Sequence, residues 1–236
     1  MGQENDNQAM PAVGRRTQWL LGVTVLVVSL AGAAWLHAKD KVFLPPVANH
    51  ANTYPAHEQQ QSEHLTIAAD PYDMPDKAAI FAVKYKDAGF LPVLLVVSND
   101  GDQPISLANI KVELITVDKE KLEAAEPEQI HRRIAKLSRP DQGPRISLPL
   151  PLPSGRPKSA VSKEAKEEIE AAQFKVLAVE PKTTRSGFFF FDIDEISNPL
   201  AGARLYVSGL RNANGHEILY FEIPMEKYLT YQPPKP

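Results

Sequence analysis

Three acidic residues lie close together after a strongly apolar run. Asp192 and Asp194 are two positions apart, and Glu195 comes directly after them. Residues two apart in a strand point to the same face, so the two aspartates would lie side by side. Paired carboxylates can act as general acid and base, or bind calcium. Because the turn residues Asn198 and Pro199 come after this strand end, we predict solvated carboxylates here, and an enzyme using them is the less favoured alternative.

The histidines show a second spacing of chemical interest. His50, His57 and His64 recur every seven residues. On a helix, this interval would place all three on one face, where they could bind a transition metal. Pro55 lies among them and the surrounding composition is not that of a helix, so we predict no metal site.

The remaining motifs do not indicate catalysis either. Residues 99–102 resemble the start of a calcium loop but lack its bidentate glutamate, and Ser186 lacks the glycine frame of a nucleophile elbow. The sequence contains no cysteine, which excludes thiol catalysis, disulfides and zinc–thiolate sites. We therefore predict a protein that is not an enzyme and has no catalytic, cofactor-binding or metal site.

Four consecutive phenylalanines precede the acidic residues. Because strand side chains alternate, Phe189, Phe191 and Ile193 are predicted to fill a core. Phe188 and Phe190 then point outward, and they are the candidate interaction surface. Either the protein's own domain or a partner protein would cover them.

Short apolar runs with turn residues between them lie on both sides of this region. They predict strands at 65–68, 79–85, 91–98, 110–117, 175–179, 185–193, 203–208 and 217–223. Their number and length predict a mainly β fold, an immunoglobulin-like β-sandwich over residues 63–229. Two small α+β units in tandem are the alternative.

One stretch carries a resemblance. Residues 91–101 read LPVLLVVSNDG, an apolar run that ends in a strong turn signal. This stretch resembles the strand and turn that open many bacterial extracytoplasmic immunoglobulin-like modules. The resemblance implies a fold and no function.

Residues 119–173 interrupt the β pattern and are predicted to be an insertion. Pro127 begins an amphipathic helix, and Ser162 caps a second one. Between them, the prolines of 138–160 predict an extended loop, because proline cannot donate to a sheet. The second helix has an apolar stripe that could cover the outward phenylalanines, formed by Ala165, Ile169 and Ala172.

The N-terminal region contains an uncharged apolar run long enough to span a bilayer. It begins with Trp19 and ends with Ala38, and its two tryptophans lie near its ends. Arg15 and Arg16 precede it, so the positive-inside rule places the N-terminus in the cytoplasm. A secretory signal cleaved after Ala38 is the alternative, and both interpretations export the residues beyond Ala38.

These features divide the chain into segments. We predict a cytoplasmic tail at 1–16, a transmembrane signal-anchor at 17–38 and a Pro-containing solvated linker at 39–62. The extracytoplasmic domain comes next, and 230–236 form a C-terminal tail.

Composition limits the partners and the compartment. The formal net charge is −3, and the basic residues are interspersed with acidic ones, so we expect no binding of nucleic acid. The absence of cysteines and of glycosylation sequons favours a bacterial inner-membrane protein with its domain outside the cytoplasm. We expect a structural or interaction protein with a protein partner in the envelope. A module that binds a small molecule, glycan or metal is the alternative.

Overall fold

The structure is a computed structural model that describes residues 43–137 and 161–231. The predicted cytoplasmic tail, the signal-anchor, residues 39–42 of the linker, the whole proline-rich loop of 138–160 and residues 232–236 lie outside the described residues. Within the two described ranges, no helix is long and apolar enough to cross a membrane.

The described residues contain ten strands, four α-helices and two 3-10 helices, the latter at Ala51–Thr53 and Gln61–Glu63. The strands are β1 (His57–Gln60), β2 (Leu65–Pro71), β3 (Phe90–Asn99), β4 (Ile105–Ser106), β5 (Lys111–Ile115), β6 (Lys121–Glu123), β7 (Ala178–Val179), β8 (Thr183–Asp192), β9 (Arg204–Ser208) and β10 (Phe221–Pro224). The helices are α1 (Pro75–Ala78), α2 (Pro127–Leu137), α3 (Lys163–Ala172) and α4 (Glu226–Leu229). The prediction of a mainly β protein is confirmed.

The strands form two four-stranded antiparallel sheets and one small pair. The first sheet has the order β1-β2-β3-β8, and the second has the order β10-β9-β5-β6. Strands β4 and β7 pair separately. The chain crosses from the first sheet to the second after β3, returns at β8, and crosses again to β9.

Strand β3 is the centre of the first sheet, and every residue in it is buried. Its sequence is apolar on both faces, as expected of a strand covered on both sides. Pro92 does not interrupt the sheet, because β2 ends at Pro71 and the N–H of Tyr72 still donates to the Pro92 carbonyl, at 2.8 Å.

The two sheets enclose a core, which we call the inner core. Alternate residues of the second sheet point into it, so β5 and β9 bury Val112, Leu114, Leu205 and Val207 and expose their intervening side chains to varying degrees. The first sheet contributes aliphatic side chains from β2 and β3, together with Phe191 of β8. This period-2 burial is the pattern that predicted these strands.

A second cluster, the outer core, lies on the opposite face of the first sheet. Its buried aromatic residues are Phe43, Phe81, Tyr85, Phe90, Phe188 and Phe190. Helices α2 and α3 cover this face, with Ile130, Ile169 and Ala172 buried in the cluster. The chain from Phe43 to Tyr54 and the turns after α1 complete the cover.

Residues 43–62 differ from the predicted linker. Phe43 and Ala51 are buried in the outer core, and strand β1 pairs with β2 along its whole length. The Ala51 N–H also donates to Ser98 Oγ at 2.8 Å. The polar, proline-containing composition of this segment predicted a solvated linker. A few buried side chains and the pairing of β1 with the edge of β2 are nevertheless enough to hold it against the body.

Residues 79–85 differ from the predicted strand and form turns. Phe81 and Tyr85 are buried in the outer core and Val83 between them is partly buried, so the side chains alternate as a strand would predict. The backbone nevertheless forms turns, and it pairs with none of the strands in the described residues. The N–H groups of Ala82 and Val83 donate to the Glu168 carboxylate, at 2.7 and 3.0 Å. These donors are therefore satisfied by a helix side chain and not by a neighbouring strand.

The two helices of the insertion are confirmed. Helix α2 begins at Pro127. Ser162 caps α3, where its Oγ accepts from the Ala165 N–H at 3.1 Å. The described part of the insertion is less extensive than predicted, because β6 lies within 119–173 and pairs with β5.

Candidate functional site

Phe188 and Phe190 are buried and do not form an exposed surface. Each is 1% exposed. The Phe188 ring lies 4.9 Å from Tyr72 and 5.0 Å from Phe81, and the Phe190 ring lies 4.6 Å from Tyr85. The prediction that the two rings point away from the inner core is correct, but their cover comes from this same chain.

Gly187 allows another segment to pack tightly beside these rings. A Cβ at this position would lie 2.6 Å from the backbone of Phe174, which is too close for any side chain. The Phe174 N–H donates to the Phe188 carbonyl at 3.0 Å. This contact covers the edge of β8, so Gly187 serves the packing of the sheet.

Arg133 holds the acidic residues that the sequence suggested for acid–base chemistry. Its guanidinium donates to Asp192 at 2.5 Å and to Asp194 at 2.7 Å, and it stacks 5.4 Å from the Phe90 ring. Both aspartates therefore fasten helix α2 to the end of β8. Glu195 is exposed and has a positive φ of 67° in the turn after this strand.

The three regularly spaced histidines make separate local contacts. The His50 ring bonds to Asp100 at 3.0 Å, and the His57 ring lies 2.6 Å from the Tyr54 carbonyl. His64 is exposed in a left-handed conformation before β2. In the described parts of the chain, no group of three His, Cys, Asp or Glu side chains could hold a metal ion.

The calcium-like stretch is a turn between β3 and β4. Asn99 is buried, and its amide donates to the carbonyls of Gln103 and Val179 at 2.8 and 3.1 Å. Its side-chain oxygen accepts from the Gly101 N–H at 2.9 Å. The predicted turn is confirmed, and the asparagine has a structural role.

One end of the molecule carries two neighbouring clefts that share Tyr72, Asp73, Lys86 and Pro92. The first has a volume of about 350 Å³ and is walled by apolar side chains of the β8–β9 connection, including Ile193, Ile196, Pro199 and Leu200. The second, of about 380 Å³, lies beneath residues 78–87. Apolar clefts of this size with a few polar groups are typical of small-ligand sites.

The polar groups of these clefts are few and specific. Burial, and then the charge of Asp70, raises the pKa of Tyr72 to about 12, so its phenol is neutral at physiological pH. Asp73 accepts a hydrogen bond from the Tyr228 hydroxyl at 2.7 Å. Lys86 is exposed and adds a cationic group between the clefts. Such a site could hold an apolar group with a polar end.

An exposed aromatic patch lies on the outer face of the second sheet. The rings of Tyr206 and Tyr220 are 4.8 Å apart, and Leu219, which precedes Tyr220 in the chain, is 70% exposed. Glu222, the register partner of Tyr206, forms an ion pair with Arg204 at 2.5 Å. We call Tyr206, Leu219 and Tyr220 the tyrosine patch.

Sequence reasoning identified neither the clefts nor the tyrosine patch. The cleft residues Tyr72 and Asp73 lie in a short stretch, DPYDMPDK, whose mixture of acids, prolines and an aromatic residue was the available signal. Tyr206 and Tyr220 lie fourteen positions apart, and only the β9–β10 pairing brings them together.

No protein-family model and no curated protein matches the chain. Among solved structures, the chain is similar to a conserved hypothetical protein from Bacillus anthracis. The two share 11% sequence identity over 68% of this chain and 87% of that one, with a TM-score of 0.28. A similarity of that size bears on neither the fold nor the function of this chain.

Proposed function

We propose that this protein is a membrane-anchored, extracytoplasmic protein of the bacterial envelope that binds another protein and performs no catalysis. The apolar run from Trp19 to Ala38, placed before a β-rich body, carries the proposal. The two arginines before the run support export of the body. Protease added to spheroplasts should degrade the body and spare residues 1–16, whereas a fully protected body would reverse the orientation.

We further propose an immunoglobulin-like sandwich. Strands β2, β3 and β8 have the order of strands A, B and E of that fold, and β10-β9-β5-β6 have the order G-F-C-C′. Helices α2 and α3 then lie between C′ and E. The disulfide of antibody domains cannot form, because the chain has no cysteine. An experimental structure with a different strand order would contradict this assignment.

The tyrosine patch is the surface that we propose for the protein partner, in place of the buried Phe188 and Phe190. Tyrosine is enriched at the energetic centres of interfaces, where a rigid ring contributes large contact area at low entropic cost. The ion pair between Arg204 and Glu222 resembles part of the polar rim of an interface.

In-cell crosslinking of the anchored protein, followed by mass spectrometry, tests this surface. A variant with Leu219→Ala and Tyr220→Ala should lose the captured partner and keep its melting temperature, because both side chains are exposed. Leu177→Ala is the matched control, since Leu177 is 71% exposed and is not a residue of the patch. Equal capture by all three proteins would contradict the proposed surface.

A module that binds a small molecule, a glycan or a metal is the alternative, and the paired clefts favour the small molecule. Filling the first cleft by Ile196→Trp should abolish any rise in melting temperature that a ligand causes. A ligand that stabilises the native chain but not this variant would favour the alternative. Ligand stabilisation that persists in the variant would show that the cleft is not the site.

A further inference from the structure

The chain enters the folded body immediately after the apolar run. Four residues, 39–42, separate Ala38 from Phe43. Phe43 is 7% exposed, and its ring stacks on Phe81 at 5.4 Å and lies 6.4 Å from Phe188. The outer core thus fixes the chain at Phe43, and the tether is far shorter than a linker over 39–62.

This length limits how far Phe43 can lie from a bilayer. Five Cα–Cα steps at ~3.6 Å span at most about 18 Å. The headgroup region accounts for roughly 5–8 Å on each side of the hydrocarbon core. If Ala38 ends the membrane span, Phe43 therefore lies within about 13 Å of the outer lipid surface.

Exposed apolar side chains come directly after Phe43. Leu44 is 77% exposed and Val47 is 95% exposed, and the two residues between them are prolines. Consecutive apolar residues without a cover are costly in water, and at a membrane interface they would be buried among headgroups and upper acyl chains.

We propose that residues 44–47 form a surface that contacts the outer leaflet of the membrane. This inference rests on the proposed anchor. The short tether keeps residues 44–47 near the lipid, and the exposed Leu44 and Val47 are apolar, so both observations favour lipid as the occupant.

Depth-dependent fluorescence quenching tests the proposal in the full chain. Because the protein has no cysteine, Val47→Cys can be labelled uniquely with a polarity-sensitive fluorophore. Lys111→Cys is the matched control, since Lys111 is exposed on the outer face of the second sheet. Both proteins are reconstituted into phosphatidylcholine–phosphatidylglycerol vesicles that contain lipids with a nitroxide at the headgroup.

We expect quenching at position 47 to be several-fold stronger than at position 111. Adding Leu44→Glu to the Val47→Cys chain should reduce quenching at least twofold, because a carboxylate is disfavoured in the interface. Equal quenching at the two positions, or no effect of Leu44→Glu, would overturn the proposal. A blue-shifted label that lipid nitroxides do not quench would show that protein covers the surface, and would also overturn it.

Carbonate extraction separates this inference from the proposed anchor. A chain that resists extraction but shows no quenching at position 47 is anchored without the predicted contact, so only the further inference fails. A chain that carbonate extracts is not anchored, and the proposed function fails with it.

Discussion

The two faces of the first sheet are covered in different ways. The inner core lies against another sheet, and its residues are mostly aliphatic side chains from regular strands. The outer core lies against helices and turns, and aromatic rings dominate it. Two pleated surfaces interdigitate with branched aliphatic chains, whereas an irregular cover leaves larger gaps that rings fill.

The difference extends to how each cover is attached. The second sheet closes over the inner core as a ladder of backbone hydrogen bonds within its own strands. Each piece over the outer core is instead fastened by a polar side chain. Glu168 fastens α3, Arg133 fastens α2, Lys77 fastens α1 through Asp70, and His50 fastens the entering chain through Asp100. The outer cover should therefore be sensitive to single polar substitutions.

The largest expected effect comes from the ring at the centre of the outer core. Phe188→Ala should lower the free energy of unfolding by about 3–5 kcal/mol, because the cavity left by a 1% exposed ring cannot collapse fully. Phe189→Ala should cost less than half as much, since Phe189 is only partly buried against Phe174. Urea unfolding of the full chain in detergent, followed by circular dichroism, measures both.

The same measurement tests whether the two cores are one cooperative unit. Leu205→Ala in the inner core should shift the same single transition as Phe188→Ala, because β3 and β8 contribute to both cores. Two separate transitions in the Phe188 variant would mean that the outer cover unfolds independently of the sandwich.

The attachment of α3 should give the next largest effect. Glu168→Ala removes the carboxylate that accepts from Ala82 and Val83, so two backbone donors lose their partner at a cost of about 2–3 kcal/mol. Glu167→Ala on the exposed face of the same helix should change stability by less than ~0.5 kcal/mol. Similar losses for the two variants would assign the effect to helix propensity and not to the attachment.

The attachment of α2 should matter less, because it is partly solvated. Arg133→Ala leaves Asp192 and Asp194 without their common partner and should cost about 1–2 kcal/mol. Arg133→Lys should recover only part of this loss, since an ammonium cannot match the bidentate geometry. Full recovery by lysine would show that charge alone holds the helix, and exposed Arg132→Ala provides the control.

The contrast between the cores also explains what the sequence could predict. Residues 110–117 and 203–208 alternate between apolar and polar, and that alternation correctly predicted strands that face the inner core. The cover of the outer core has no such period. Phe43 lies in a proline-containing segment that was predicted to be a linker, and Phe81 in a run that was predicted to be a strand. Each contributes one ring from an irregular segment, and only three-dimensional packing brings the rings to Phe188.

The candidate surfaces also depend on contacts between segments that are distant in the sequence. The phase of 188–191 was predictable because β8 is regular, but the burial of Phe188 and Phe190 depends on segments up to 145 positions earlier, such as Phe43. The tyrosine patch depends on strand pairing, and the clefts depend on loops that meet at one end. The spacing of residues along the chain does not indicate contacts between distant segments, so neither the clefts nor the tyrosine patch was predicted from the sequence.

The smallest expected effect concerns Asp70 on β2, at the margin of the outer core. Asp70 is 8% exposed, and burial raises the pKa of its carboxyl above the ordinary value, although Lys77 opposes this shift and Asp73 adds to it. Between the ordinary and the raised pKa, the folded state therefore binds more protons than the unfolded state. By linkage, the contribution of Asp70 to stability is fully present below the ordinary pKa and is lost as the pH rises through the raised one.

Asp70→Asn removes this titration while keeping the size of the side chain. The free energy of unfolding of the native protein minus that of the variant should therefore decrease as the pH rises from about 3 to about 7. Asp76→Asn is the control, because Asp76 is exposed and lies in the same helix as Lys77. It measures the pH dependence that an exposed carboxylate contributes. The loss should be modest, because the ammonium of Lys77 lies against Asp70 and also 4.6 Å from the Tyr228 ring, which offsets part of the burial cost. If this difference in the free energy of unfolding instead increases with rising pH, the ion pair with Lys77 outweighs the cost of burying Asp70. The charges would then stabilise the margin of the outer core.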